Sequence, residues 1–191
     1  MKGMVFRSFQ GFVEREFSEI LVDDMLSLES LESQGAYTSV GYYPHSEFLS
    51  LVIHVSEATQ IPISQLVKSF GAALFKDLAS AHADMIAGYA TPIQLLSEIE
   101  SVIHVDVRKL YSNSELPRFD VRERDGDRQI KLEYSSSRPF ADLAEGLIYG
   151  CLDHYGLKES SFVLREDIQP DGTHSVFNVR TDDGQGAPNT N

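Results

Sequence analysis

The chain has 191 residues, enough for one compact domain or for two closely packed subdomains that share a core. Its composition is that of an ordinary globular protein, 42% hydrophobic and 24% charged, but acids outnumber bases by 29 to 16 and leave a formal net charge of -13. A surface this negative repels phosphate backbones and anionic lipid heads, and no Lys/Arg-rich run overrides it, which argues against nucleic-acid and membrane-surface binding.

Cys151 is the single cysteine, which excludes an internal disulfide and a Cys-rich zinc or iron–sulfur site and fits a reducing compartment. The run Met1-Lys2-Gly3-Met4-Val5-Phe6-Arg7 meets an arginine before an apolar h-region develops. The longest apolar stretch, Phe48 to Val55, is broken by Ser50 and His54 and falls short of the roughly 20 residues that a bilayer needs. The expectation is a soluble, cytoplasmic protein.

In chain order, the first half reads as helices. Phe17, Ile20, Leu21 and Met25 stripe one segment; Pro44 opens a second with Phe48, Leu51, Val52 and Val55 on one face; Pro62 opens a third striped by Leu66, Val67, Phe70, Leu74 and Leu78. Thr91-Pro92-Ile93-Gln94 is a helix start with a capping threonine and a first-turn proline, and its apolar stripe predicts a helix running through Leu96, Ile99, Ile103 and Val107 to Leu110. Beyond about residue 117 the period shortens to two. Phe119, Val121, Ile130, Leu132 and Tyr134 alternate about an Asp125-Gly126 turn as a hairpin does. Arg138 to Tyr155 returns to helix, with Phe140, Leu143, Leu147, Ile148 and Cys151 spaced for one buried side. A second hairpin joins Phe162 and Leu164 to Phe177 and Val179 through Pro170-Asp171-Gly172, and the tail from Thr181 lacks the apolar content needed to order it. The fold class is thus α+β: a helical N-terminal part, then a smaller part with antiparallel strands and a long helix, the boundary falling near Leu116-Pro117.

Two motifs flank that boundary. His104 lies in Val102-Ile103-His104-Val105-Asp106-Val107, where a buried neutral imidazole needs a hydrogen-bond partner or a metal. The same alternation also fits a strand with His104 facing out. Tyr134-Ser135-Ser136-Ser137-Arg138 continues a strand into polar residues, so that Tyr134, Ser136 and Arg138 point the same way and offer two hydroxyls and a guanidinium to a pair of carboxylates. It reads equally as a helix entry capped by a serine. Elsewhere Cys151 and His154 share a helix face, and His45, His54 and His82 show no metal-ligand spacing.

Taken together, Met1-Lys2-Gly3, His104, Pro117 and the Tyr-x-Ser-x-Arg of Tyr134, Ser136 and Arg138 resemble the haem nitric oxide/oxygen binding family, which includes the sensor domain of soluble guanylate cyclase and stand-alone bacterial sensors. The resemblance implies one haem-binding domain over residues 1–180, with a helical subdomain over about 1–60, a haem-pocket subdomain over about 61–180, the haem between them, and a disordered tail at 181–191. It implies haem b held by His104 as the axial ligand of ferrous iron, propionates clamped by Tyr134, Ser136 and Arg138, and Pro117 pressing the haem out of planarity. Oxygen-binding members carry a distal tyrosine where this chain has Leu143, with supporting Trp and Asn at the positions of Phe9 and Leu74; with Leu147, these residues make the distal pocket apolar.

Such a pocket implies binding of nitric oxide and carbon monoxide without stable binding of dioxygen, which wants a hydrogen-bond donor. The family resemblance further implies a non-enzymatic sensor that loses its Fe–His bond on binding nitric oxide and signals to a histidine kinase or a cyclic-dinucleotide enzyme. No zinc is expected. The rivals are a haem enzyme, which would need a distal acid or base, and a haem-free interaction module of the same fold.

Overall fold

The computed structural model describes residues 1–105 and 116–181. Val107 and Leu110, the far end of the helix predicted from Thr91, and the tail beyond Thr181 lie outside the described residues.

The helical part begins with α1 (Gly3–Glu16), α2 (Glu19–Leu26), α3 (His45–Thr59) and α4 (Ile63–Ala81). Sequence reasoning did not single out α1, yet Phe6, Phe9, Phe12 and Val13 recur at three- to four-residue steps and are buried on one face. Ser18 caps α2 by accepting the Leu21 amide at 3.2 Å, while Pro44 and Pro62 precede α3 and α4 as expected. Gln60, at φ 58°, ends α3 in the left-handed conformation. These helices pool an aromatic core in which Phe9 lies 5.3 Å from Phe48 and 5.1 Å from Phe70 between ring centroids.

The short helices α5 (Ala83–Ile86) and α6 (Pro92–Ser97) lead to the second part. Thr91 caps α6 through the Gln94 amide at 3.2 Å, and the Gln94 side chain returns a bond to Ala90 N. The predicted helix is interrupted within its apolar stripe, and α-helical geometry returns at His104 and Val105. Glu98 leaves the helical region, and a π-helical turn (Ile99–Ile103) follows, closed by the His104 amide donating to the Ile99 carbonyl.

Strands β1 (Arg118–Asp125), β2 (Gln129–Ser135), β3 (Ser161–Asp167) and β4 (His174–Thr181) form one antiparallel sheet of order β1-β2-β4-β3. Thr181, read from sequence as the start of the tail, is the last residue of β4, is buried, and donates its amide to Arg128 O at 2.9 Å. In β3 the register sets Phe162 opposite Arg180 and Leu164 opposite Asn178, on the outer face at 58% and 54% exposure, while Val163 lies opposite core-facing Val179.

The long helix α7 (Ala141–His154) starts three residues later than predicted, because residues 136–140 form a turn. Ala144, Ile148, Cys151 and Leu152 pack against Ile130, Leu132, Phe177 and Val179 of the sheet, whereas Leu143 and Leu147 pack against the helical core. That opposite side of α7 crosses α4 at glycines. A Cβ added at Gly71 would lie 2.6 Å from Leu143 O and 2.8 Å from Gly146 Cα, so the two backbones touch with no side chain between them.

Candidate functional site

His104 sits at the end of the π-turn and is 9% exposed. Its Nδ1 lies 3.0 Å from Glu100 Oε2, four residues earlier. A carboxylate only accepts, so Nδ1 carries a proton and donates it to Glu100. The same Glu100 oxygen accepts the Phe119 amide at 3.3 Å, tying the turn to the start of β1 just beyond half-buried Pro117. The ring centroids of His104 and Phe119 are 6.0 Å apart and those of Phe119 and Tyr134 5.3 Å, so His104 and Tyr134 stand at the two ends of one aromatic row.

Tyr134 is 1% exposed, and burial pushes its phenol up from the ordinary value. Hydrogen bonds with the Ser136 side chain and the Phe140 backbone oppose that shift, as do the positive charges of Arg165 and Arg138. Ser136 and Arg138 are half-buried in the turn that follows β2. The Ser136 hydroxyl accepts the Arg138 amide at 3.1 Å, so the local capping interaction considered from sequence exists. It coexists with the clustering of Tyr134, Ser136 and Arg138 at one end of β2. The β3–β4 turn braces this cluster, because Ser136 N donates to Thr173 O at 2.9 Å and Ala141 N donates to Gly172 O at 3.2 Å. Gly172 meets that geometry at φ 74°.

The four residues predicted to be distal fall in the other core. Phe9 and Leu74 are buried there, with half-buried Leu143 and Leu147 packed against the same cluster. None of the four side chains carries a hydrogen-bond donor. The predicted set therefore divides into a polar group on the sheet side and an apolar group on the helical side, with α7 between two cores and in contact with both. A separate cleft of about 250 Å³, lined by residues such as Ala83, Tyr89 and His154, includes none of them.

Two features escaped sequence reasoning. Glu100 stands four residues before His104, a spacing that marks a helical pair, but its bond to Phe119 spans 19 residues and leaves no local trace. Arg165 is half-buried on β3, where it reaches Asp142 at 2.5 Å, Glu145 at 3.2 Å and Asp167 at 2.6 Å; Glu145 also pairs with Lys68 of α4 at 3.0 Å. Burial alone would lower the guanidinium pKa, but its bonds to Asp167, Asp142 and Glu145 outweigh that and raise it.

The sequence profile of the Haem-NO-binding (HNOB) family matches residues 2–160. No curated protein matches the chain at a significant level. Among solved structures, the Fe(II) unliganded H-NOX protein from K. algicida is 33% identical, with a TM-score of 0.89 over 98% of this chain and 100% of that one. The IWP-051-bound H-NOX from Shewanella woodyi in the Fe(II)CO state is 38% identical, with a TM-score of 0.80 over 100% of this chain and 99% of that one. An H-NOX protein from S. oneidensis in the Fe(II)NO state is 28% identical, with a TM-score of 0.83 over 95% of this chain and 99% of that one. Agreement of profile, fold and coverage from end to end leaves one conclusion: the chain belongs to the haem-NO-binding, or H-NOX, family.

Proposed function

We propose that this protein is a gas sensor that holds haem b with His104 as the axial ligand, binds nitric oxide and carbon monoxide but forms no stable complex with dioxygen, and signals to a separate partner without catalysing a reaction. The observation that carries this reading is His104 itself, buried, with Nδ1 engaged by a carboxylate and its ring joined through Phe119 to Tyr134. The donor set suits the group. An imidazole nitrogen suits the iron, the Arg138 guanidinium and the Tyr134 and Ser136 hydroxyls suit two propionates, and Phe9, Leu74, Leu143 and Leu147 suit an apolar macrocycle.

Haem held by His104, Tyr134, Ser136 and Arg138 would supply a ferrous iron able to bind a diatomic gas such as nitric oxide. The π-turn that carries His104 is held to β1 through Glu100 and Phe119, so a change in the bond between His104 and the iron would be felt at that strand. Pro117, next to that anchor, would press on the haem. Because the two cores meet along α7, a shift of one against the other would be the two-state element whose balance the gas sets. The reader of that shift is a histidine kinase or a cyclic-dinucleotide enzyme. No helix among the described residues is long and apolar enough to cross a membrane, and the buried single cysteine and acidic composition support a cytoplasmic setting.

The test is the visible spectrum of His104→Ala. Haem should be lost, or retained only when free imidazole is added. A variant that keeps a full complement of haem with an unchanged five-coordinate ferrous spectrum would overturn the assignment.

A further inference from the structure

We infer that Glu100 is a positioning residue that sets the strength of the bond between His104 and the haem iron, an inference that rests on the haem-site reading above. Its Oε2 stands 3.0 Å from His104 Nδ1, and the same atom accepts the Phe119 amide at 3.3 Å. The carboxylate is thus fixed from two sides, by the π-turn that carries it and by the backbone of β1. At 31% side-chain exposure it is also partly shielded from water, where a charge acts more strongly on its neighbour.

A carboxylate that accepts the Nδ1 proton of a ligating histidine does two things. It locks the tautomer and the ring plane, so that Nε2 presents its lone pair in one direction, and it draws the proton toward itself, which raises the electron density that Nε2 donates to a metal. Glu100 therefore favours a strong bond to His104 and opposes its rupture. Because the same oxygen holds Phe119, two residues after Pro117, the residue that tunes the bond also joins the histidine segment to the strand that leaves the haem region. A surface ion pair at this spacing would do neither, since it would alter only the stability of its own turn.

The experiment uses the full chain reconstituted with haem, reduced and unliganded, and compares the parent with Glu100→Gln, Glu100→Ala and His104→Ala. The readouts are the iron–histidine stretching band in resonance Raman and the rate of haem transfer to an excess of apomyoglobin. In Glu100→Gln the band should move to lower wavenumber, in Glu100→Ala further still, with haem affinity falling about 10- to 100-fold in the latter. If Glu100→Ala fails to hold haem, the isosteric Glu100→Gln alone decides. A band at the parental position in Glu100→Gln, while His104→Ala has lost it, would overturn the role of Glu100 and leave His104 as the ligand. A band that persists in His104→Ala would overturn the haem-site reading itself.

Discussion

On the sheet side of the candidate site polar groups meet specific partners: His104 meets Glu100, and the Ser136 hydroxyl accepts the Arg138 amide. On the helical side Phe9, Leu74, Leu143 and Leu147 present carbon to carbon. The two sides also keep their shape by different means. Directional bonds fix the first to within a fraction of an ångström, whereas close packing holds the second and tolerates repacking among apolar side chains of similar volume. If the proposed function holds, the polar side would grip by what it supplies and the apolar side would discriminate by what it withholds.

The comparison is tested most severely where the polar side joins the rest of the fold. Arg165 ties β3 to α7 through Asp142 and Glu145 and also pairs with Asp167 of its own strand, so Arg165→Met should destabilise the protein by about 3 kcal/mol in chemical denaturation by leaving those three charges facing one another. The pH dependence follows from Asp167. Burial raises its pKa, but hydrogen bonds from Arg165 and Ser175 outweigh that and hold the folded value below normal. Its contribution is therefore present above the ordinary carboxylate value of about 4 and is lost as pH falls through the depressed folded value. The gap between parent and Arg165→Met should narrow on acidification below that point; a gap independent of pH would show that the network acts through packing.

A smaller effect is expected at the clamp. Arg138→Ala removes a charged donor, at about 1.5–3 kcal/mol, and Ser136→Ala a neutral hydroxyl, at about 0.5–1.5 kcal/mol. Haem dissociation measured by transfer to apomyoglobin should accelerate by about 10- to 100-fold in the first and by a few-fold in the second. Equal rates for both variants and the parent would reduce the motif to a turn cap.

The smallest change is a gain on the apolar side. Leu143→Tyr places a phenol beside the helical core and should make an oxygen complex of the ferrous protein detectable, with affinity raised roughly tenfold by one hydrogen bond. A persistent oxygen spectrum in the unmodified protein would mean that a donor exists outside positions 9, 74, 143 and 147.

How far the sequence foretold this arrangement depends on whether a residue's role is local. Pro44, Pro62 and Thr91 announced their helices because capping chemistry is confined to one turn, and Asp125-Gly126 announced its hairpin because Gly126 adopts φ 53°. The face of β3 was not legible. Phe162 and Leu164 have the apolar character of core residues, yet they point outward, and on the inward side Val163 is followed by Arg165, whose charge is met by carboxylates some 20 positions away in α7. Similarly, the apolar stripe of Leu96, Ile99 and Ile103 predicted an unbroken helix, whereas the observed break at Glu98 and the π-turn beyond it bring Glu100 to an amide of β1. The candidate residues were picked out by pattern, whereas their division between two cores is a property of α7, which has a side for each.

The glycine crossing of α4 and α7 limits how this molecule can move. Where two helices meet through side chains, a change of rotamer lets them slide or part by an ångström at little cost, and the layer between them acts as a bearing. Gly71 and Gly146 leave no such layer, since the Leu143 carbonyl and the Gly146 Cα already stand at the distance a Cβ on Gly71 would need. Leu74, one turn along α4, and Leu143 and Leu147, on either side of Gly146, are therefore carried on a welded joint. Their relative placement is set by direct backbone contact between α4 and α7 and not by an intervening layer of side chains.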